Sequence, residues 1–217
     1  MAEPLRLIGF RHSVYTWIVR LALHEFGCTA EYIEANPFAD PPDPVLQKYT
    51  PFRRVPVLEH GALRLTETAA ILRYLDALNP SLSLAPKDPI ALAQMAQVMG
   101  LSDADVYPIL IRQVFSNGYY APVVMGEGGD AQRVAEGLVR AQPVLKVLDQ
   151  IAGQGHQLNA HHLSLADIHL GPMMSYFTRV PEGQLLLDAY PALSAWWQWM
   201  QSRPSLLQTD PLGGSCP

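Results

Sequence analysis

The sequence predicts two domains of different class, an N-terminal α/β domain built on a mixed sheet and a C-terminal all-α domain. Strand-like and helical patterns alternate over the first 79 residues. After a stretch with three prolines at residues 80–89, only helical spacing remains. We therefore predict a sheet domain at residues 1–79, a linker at residues 80–89 and a helical domain at residues 90–217.

Local patterns define the elements of the first domain. Residues 5–10 form a short apolar run suited to a buried strand, and residues 13–26 show helical spacing that Gly27 ends. The remaining predicted elements are a strand at 31–34, a helical turn at 45–49, a hairpin with strands at 57–58 and 63–65, and a helix at 67–78. The order βαβ followed by ββα predicts a four-stranded mixed sheet with helices on its faces, the thioredoxin-like arrangement.

Long helical patterns fill the second domain. They are predicted at residues 90–115 with a bend at Pro108, and at residues 131–152, 165–177 and 191–202. Ser164 and Asp167 have the spacing of a capping box, with Leu163 as a hydrophobic staple. We interpret this motif as a folding element without a catalytic role.

Composition and charge exclude several classes of function. The net charge is −5 and no basic run is present, so nucleic acid is not an expected partner. The sequence has neither an apolar run of membrane-spanning length nor a secretory signal, so no membrane association is expected. The two cysteines, Cys28 and Cys216, lie too far apart for metal or disulfide spacing, and the adjacent His161 and His162 lack a third ligand nearby. These features predict a reducing, cytoplasmic location and no metal.

The segment from Thr50 to Leu75 carries the clearest functional signal. Pro56 interrupts a strand-like run, and because proline cannot donate to a ladder, it predicts an edge, a strand start or a cis peptide bond. Further on, Glu67 and Thr68 place a carboxylate and a hydroxyl at the start of a helix, where the backbone favours anions. Ordinary helix capping, with Thr66 as the N-cap residue, remains an alternative.

A second candidate lies between the first strand and the first helix. The Ser13 hydroxyl can cap the helix, and it can also donate a hydrogen bond to a ligand thiolate. Spacing alone does not distinguish these roles.

These motifs together resemble a known family. The run from Gly9 to Glu25 reads G-F-R-H-S-V-Y-T-W-I-V-R-L-A-L-H-E. With the V-P and Glu67-Thr68 motifs, it is similar to the cytosolic glutathione S-transferases of the serine type, closest to a phi-like bacterial member. The resemblance implies a glutathione-binding first domain, a helical substrate domain, glutathione as cosubstrate, and a homodimer.

The resemblance also implies roles for individual residues. Ser13 would stabilise the glutathione thiolate, since a hydroxyl donor and a helix N-terminus both favour the charged sulfur. The backbone of Val55, beside a cis Pro56, would pair with the cysteinyl part of the ligand. Glu67 would bind the ammonium group and Thr68 the γ-glutamyl carboxylate.

Two departures from the family pattern concern the glycyl end of the ligand. Arg53 and Arg54 precede the V-P motif, where the family commonly has Gly-Gln or Gly-Lys, so a permissive glycine is lost. Arg54 either holds the glycyl carboxylate or is simply solvated. In addition, residues 40–44 read Asp-Pro-Pro-Asp-Pro, where phi-class members have a basic pair.

The resemblance further implies an electrophile pocket, for which the candidates are Tyr15, Tyr107, Arg112 and Phe115. Tyr15 is also the alternative to Ser13 as the activator of the thiol. The implied reaction is conjugation of glutathione to small hydrophobic electrophiles, or reduction of a peroxide. A noncatalytic glutathione-binding or protein-interaction module of the same fold remains the main alternative, and a glutathione-dependent isomerase or dehalogenase is a third.

Overall fold

The computed structural model describes residues 3–213. Cys216 lies outside the described residues. Contacts between described residues divide the chain into two compact units. The first comprises residues 3–83 and 204–213, and the second is Leu84–Arg203.

The first unit contains the predicted mixed sheet. Its elements before residue 84 are β1 (Leu5–Gly9), α1 (Val14–Glu25), β2 (Ala30–Glu34), α2 (Pro44–Tyr49), β3 (Val57–His60), β4 (Leu63–Leu65), α3 (Thr68–Leu78) and a 3₁₀ turn (Pro80–Leu82). The strand order is β2-β1-β3-β4. β1 is parallel to β2 and antiparallel to β3, and β3 is antiparallel to β4. This topology confirms the thioredoxin-like prediction.

The start of α3 differs from one predicted alternative. Thr66 is not the N-cap residue, because the helix begins at Thr68 and Glu67 precedes it with φ 66°. The Glu67 side chain makes no capping hydrogen bond in the described chain. The left-handed backbone of Glu67 displaces the helix start by one residue relative to an N-cap at Thr66.

Helices make up the second unit. They are α4 (Pro89–Leu101), a segment with π-type hydrogen bonds (Ser102–Met125), here called the π segment, α5 (Ala131–Gln154), α6 (Leu165–Phe177), α7 (Pro181–Leu187) and α8 (Pro191–Gln201). The helix expected to end at Phe115 therefore continues to Met125. Two prolines lie inside the π segment, and each lacks the N–H that a regular ladder requires. The wider winding is visible at Ser116, whose hydroxyl donates to the carbonyl of Ile111 at 2.9 Å.

The predicted capping box is present at the start of α6. The Asp167 carboxylate accepts hydrogen bonds from the Ser164 N–H at 2.7 Å and the Ser164 hydroxyl at 2.6 Å. It also accepts one from Trp196 Nε1 of α8 at 2.7 Å. Burial raises the pKa of Asp167, while these donors oppose that effect. The motif thus joins two helices as well as starting one.

A short C-terminal helix, α9 (Pro204–Thr209), was not predicted. It belongs to the first unit because it packs on α1, where the buried Trp17 donates from Nε1 to the Thr209 hydroxyl at 2.9 Å. The sequence division, which gave all residues after 90 to the helical domain, differs from the structure here. Among residues 3–213, no helix combines the length and apolar character that crossing a membrane requires.

Candidate functional site

The strand register brings the predicted site residues of the first unit to one end of the sheet. Gly9 at the end of β1 pairs with Glu34 at the end of β2. Ile8 pairs with Val57, the first residue of β3. β4 ends opposite the start of β3. The loop to Ser13, the residues before β3 and the residues after β4 therefore all leave the sheet at this end.

Ser13 occupies the N-cap position of α1. Its side-chain oxygen accepts a hydrogen bond from the Thr16 N–H at 3.3 Å. Its own N–H donates to the carbonyl of Phe10 at 2.8 Å, which closes a turn. Because Oγ acts as the acceptor in the cap, the hydroxyl proton remains suited to donation toward a ligand. Capping and thiolate stabilisation are therefore compatible in this geometry.

Thr16 fixes the base of the loop that leads to Ser13. It is fully buried, and its hydroxyl accepts from the Phe10 N–H at 3.3 Å. A Cβ at Gly9 would lie 2.4 Å from the Thr16 methyl group, so only glycine permits this approach. The close packing of Thr16 on the end of β1 restricts where the loop can run.

His12, the residue before Ser13, is uncharged near pH 7. Burial, with a smaller contribution from Arg11, lowers the pKa of His12 from its ordinary value of 6.5, while Glu34 opposes the shift. The N-terminus of α1 therefore contributes the partial positive charge at this position, and His12 adds none at pH 7.

The peptide bond between Val55 and Pro56 is cis, as predicted. Pro56 is buried, whereas Val55 is half-buried and lies just before β3. The backbone of Val55 therefore stands at the end of the sheet where the Ser13 loop also leaves it. A role of this backbone in binding stays a prediction.

Glu67 and Arg54 lie together at this end of the sheet. An Arg54 guanidinium nitrogen is 3.7 Å from a Glu67 carboxylate oxygen, and both side chains are 68% exposed. The Arg54 guanidinium also lies 5.4 Å from the centre of the Phe52 ring. At such exposure the pair contributes little to stability and can exchange partners when a charged ligand arrives. Thr68, the first residue of α3, is buried.

Arg53 adopts a backbone conformation that suits glycine, the residue that the family commonly has before the V-P motif. Its φ is 51°, in the left-handed region that glycine adopts more readily than arginine. Its guanidinium donates to the carbonyl of Ala39 at 2.9 Å, which ties it to the proline-rich loop. Asp43 in that loop caps α2 and accepts from the Val45 N–H at 2.8 Å. Arg53 is thus engaged locally, whereas Arg54 extends toward Glu67.

The predicted pocket residues have different surroundings. Tyr15 lies half-buried in the first turn of α1, and Tyr107 is half-buried in the π segment. Arg112 is exposed. Phe115 is only 3% exposed, and its ring stacks on Tyr176 with centroids 4.1 Å apart, so it packs in the helical unit. Their role toward an electrophile stays a prediction.

One residue at this end of the sheet had no predicted role. Glu34 at the end of β2 accepts a hydrogen bond from the Arg11 N–H at 3.2 Å. Glu34 could have been identified from the sequence because it ends a predicted strand, and side chains at the carboxyl ends of neighbouring parallel strands lie together. Among residues 3–213, no group of three or more His, Cys, Asp or Glu side chains is arranged to hold a metal ion.

Two family models match the chain. Residues 7–83 match the glutathione S-transferase N-terminal domain, and residues 111–204 match the glutathione S-transferase C-terminal domain. The two matches fall mainly in the first and the second unit, respectively.

Individual proteins are similar over most of the chain. Glutathione S-transferase 1 of Zea mays is 29% identical over 208 residues, which cover 94% of both chains. Glutathione S-transferase F14 of Arabidopsis thaliana is 32% identical over 171 residues, which cover 76% of this chain and 65% of that protein. The structure of maize glutathione S-transferase I in complex with an atrazine glutathione conjugate superposes with a TM-score of 0.82. It is 26% identical, covering 98% of this chain and 100% of that one.

Proposed function

Because this chain belongs to the glutathione S-transferase family, we propose that it transfers glutathione to small hydrophobic electrophiles. The observation that carries the proposal is the convergence of Ser13, the cis Val55–Pro56 bond and Glu67 at one end of the sheet. Glutathione is the cosubstrate, and peroxide reduction is an additional reaction open to the same thiolate.

The chemistry begins with loss of the thiol proton to solvent. The Ser13 hydroxyl then donates to the thiolate, and the N-terminus of α1 favours its negative charge. The sulfur attacks the electrophilic carbon, a C–S bond forms, and the leaving group departs with its electron pair. Lowering the thiol pKa makes the nucleophile available near neutral pH.

The tripeptide is held by the remaining groups at the same end of the sheet. The Val55 backbone pairs with the cysteinyl part, and the start of α3 at Thr68 receives the γ-glutamyl carboxylate. Glu67 binds the ammonium group. Arg54 then exchanges Glu67 for the glycyl carboxylate, since a guanidinium forks well to a carboxylate and the existing pair at 3.7 Å is loose.

Retention on immobilised glutathione and conjugation of an activated aromatic halide test this function together. We expect the protein to be retained, and to form the thioether at a rate that S-methylglutathione inhibits because it fills the site without a free thiol. Retention without conjugation would instead support the noncatalytic binding module. Absence of both would contradict the proposal.

The proposal includes a homodimer. Phe52, between α2 and β3, leaves 61% of its surface exposed. The second unit has a cavity of about 410 Å³ between α4, the π segment and α5, lined by Leu101, Asp105, Ile109, Arg140, Pro143, Val144 and Val147. A two-fold interface uses the same surface on both copies, so an exposed aromatic ring of one copy can fill a mainly apolar cavity of the other. We assign this cavity to the Phe52 ring of a second copy.

Substitution of Phe52 tests the dimer. Phe52→Ser removes the anchoring ring, so we expect a dimer in the wild type and a monomer in the variant at micromolar concentration, measured by sedimentation velocity. Phe38→Ser is the matched control, since Phe38 is 67% exposed in the same unit and should leave the dimer intact. A dimeric Phe52→Ser protein would contradict this interface.

The proposed cosubstrate also indicates where in the cell the protein acts. It is the thiol that sets the redox poise of the reducing cytosol. The proposal therefore places the protein in the cytoplasm, where its cosubstrate is available.

A further inference from the structure

We propose that Glu34 is a positioning residue for Ser13, a role that rests on the proposed function. Glu34 ends β2 beside Gly9, the last residue of β1. Its Oε1 accepts the hydrogen bond from the Arg11 N–H at 3.2 Å. Arg11 lies in the middle of the loop that carries Ser13, two residues before it.

The loop is held by side chains at two successive backbone N–H groups. Thr16 accepts from the Phe10 N–H on the buried side. Glu34 accepts from the Arg11 N–H on the exposed side. A backbone hydrogen bond from the Ser13 N–H to the Phe10 carbonyl then closes the turn. With both anchors in place the chain enters the N-cap position along one path, because the N–H groups of Phe10 and Arg11 each have a fixed direction.

The carboxylate of Glu34 is itself oriented by its second oxygen. Oε2 accepts from the Tyr32 hydroxyl at 2.6 Å. Burial, followed by this hydrogen bond, raises the pKa of Tyr32, so the phenol remains a donor. The Tyr32 ring lies 5.9 Å from the guanidinium of Arg20 on α1. A carboxylate fixed at both oxygens defines the position of the N–H that it binds.

The ion pair between Glu34 and the Arg11 side chain is secondary. The guanidinium lies 3.5 Å from Oε1, and the two side chains are 66% and 37% exposed. Pairs this exposed contribute little. The backbone bond therefore carries the positioning effect, and the role of Glu34 should survive removal of the Arg11 side chain.

Three variants separate these effects. Glu34→Ala removes the acceptor, and we expect kcat to fall about tenfold, since a small displacement of a catalytic group has a large effect on rate. The KM for glutathione should change less than about twofold, and the pKa of the bound thiol should rise. Glu34→Gln keeps an oxygen acceptor and should restore most of the rate. Arg11→Ala keeps the backbone N–H and should resemble the wild type.

The matched control is Glu31→Ala, which changes another exposed carboxylate of β2 that pairs with Arg6. It should leave kcat and the thiol pKa unchanged. Tyr32→Phe provides a milder variant, with an expected loss of about twofold to threefold, should Glu34→Ala not fold.

The outcomes distinguish failure of the positioning role of Glu34 from failure of the proposed glutathione transfer. If the wild type lowers the thiol pKa, and both that pKa and kcat are unchanged in Glu34→Ala and Tyr32→Phe, the positioning role alone is overturned. A wild-type protein that binds glutathione without lowering its thiol pKa would overturn both. Loss of rate in Glu34→Ala with recovery in Glu34→Gln would support the inference.

Discussion

Replacement of Ser13 by alanine should raise the thiol pKa of bound glutathione toward the value of a free thiol. The variant lacks the hydroxyl that donates to the sulfur, whereas the N-terminus of α1 remains. A free thiol titrates near about 8.5, and thiols at helix N-termini beside a donor titrate about two units lower. We expect most of that difference between the two proteins, measured by ultraviolet titration of the thiolate band.

The rate should follow with a characteristic pH dependence. At about pH 6.5 a two-unit shift changes the thiolate fraction roughly 50-fold, and the weaker nucleophilicity of a more acidic thiol reduces the effect on conjugation to about tenfold. The gap should close as the pH rises toward the free thiol pKa, because the variant then also holds thiolate.

Controls separate catalysis from capping. Loss of the Ser13 cap by alanine substitution costs about 1 kcal/mol of stability, whereas glycine at an N-cap costs only a few tenths. Ser13→Gly should therefore lose the thiolate shift with little change in melting temperature. Tyr15→Phe should keep the shift. If Tyr15→Phe lost it and Ser13→Ala kept it, Tyr15 would be the activating residue.

The largest expected effect on stability is that of Asp167→Ala. The substitution leaves two buried donors without their acceptor, the Ser164 N–H and Trp196 Nε1, whereas the Ser164 hydroxyl keeps Gln157 Oε1 as an acceptor at 2.6 Å. Each unpaired buried group costs about 1–3 kcal/mol, so we expect the free energy of unfolding to fall by about 4 kcal/mol. For a chain of this size, that corresponds to a drop of about 10 °C in melting temperature.

A double-mutant cycle isolates the contact between α6 and α8. Trp196→Phe removes the indole donor, so Asp167→Ala should cost less in that background than in the wild type. Asp188→Ala is the control, because Asp188 is exposed and accepts from Gln184 Nε2 in an exposed hydrogen bond. Equal effects of Asp167→Ala and Asp188→Ala would contradict the role of the capping box.

Elements with a strong local signal were predictable from the sequence. Periodicity placed α1 and α5 to within a few residues, and the family resemblance at the V-P motif implied the cis bond at Pro56. The capping box at Ser164 was predictable because both partners lie within one turn. In each case the interactions that decide the structure connect residues close in the chain.

Other features depended on distant residues. α9 was missed because six residues carry little periodicity, and its place is decided by the bond between Trp17 and Thr209. The π segment continues to Met125, past the helix end predicted at Phe115. The left-handed backbone of Arg53 and Glu67 is imposed by surrounding structure against the preference of both residue types.

The class of the two domains, the N-cap position of Ser13 and the proline before β3 could be predicted from the sequence, since these depend on local spacing and on the chemistry of single residues. The side chains that hold the Ser13 loop could be identified from the folded structure alone. Glu34 reaches the Arg11 N–H because β1 and β2 run parallel and end side by side, and strand register is decided by packing between segments that are distant in the chain.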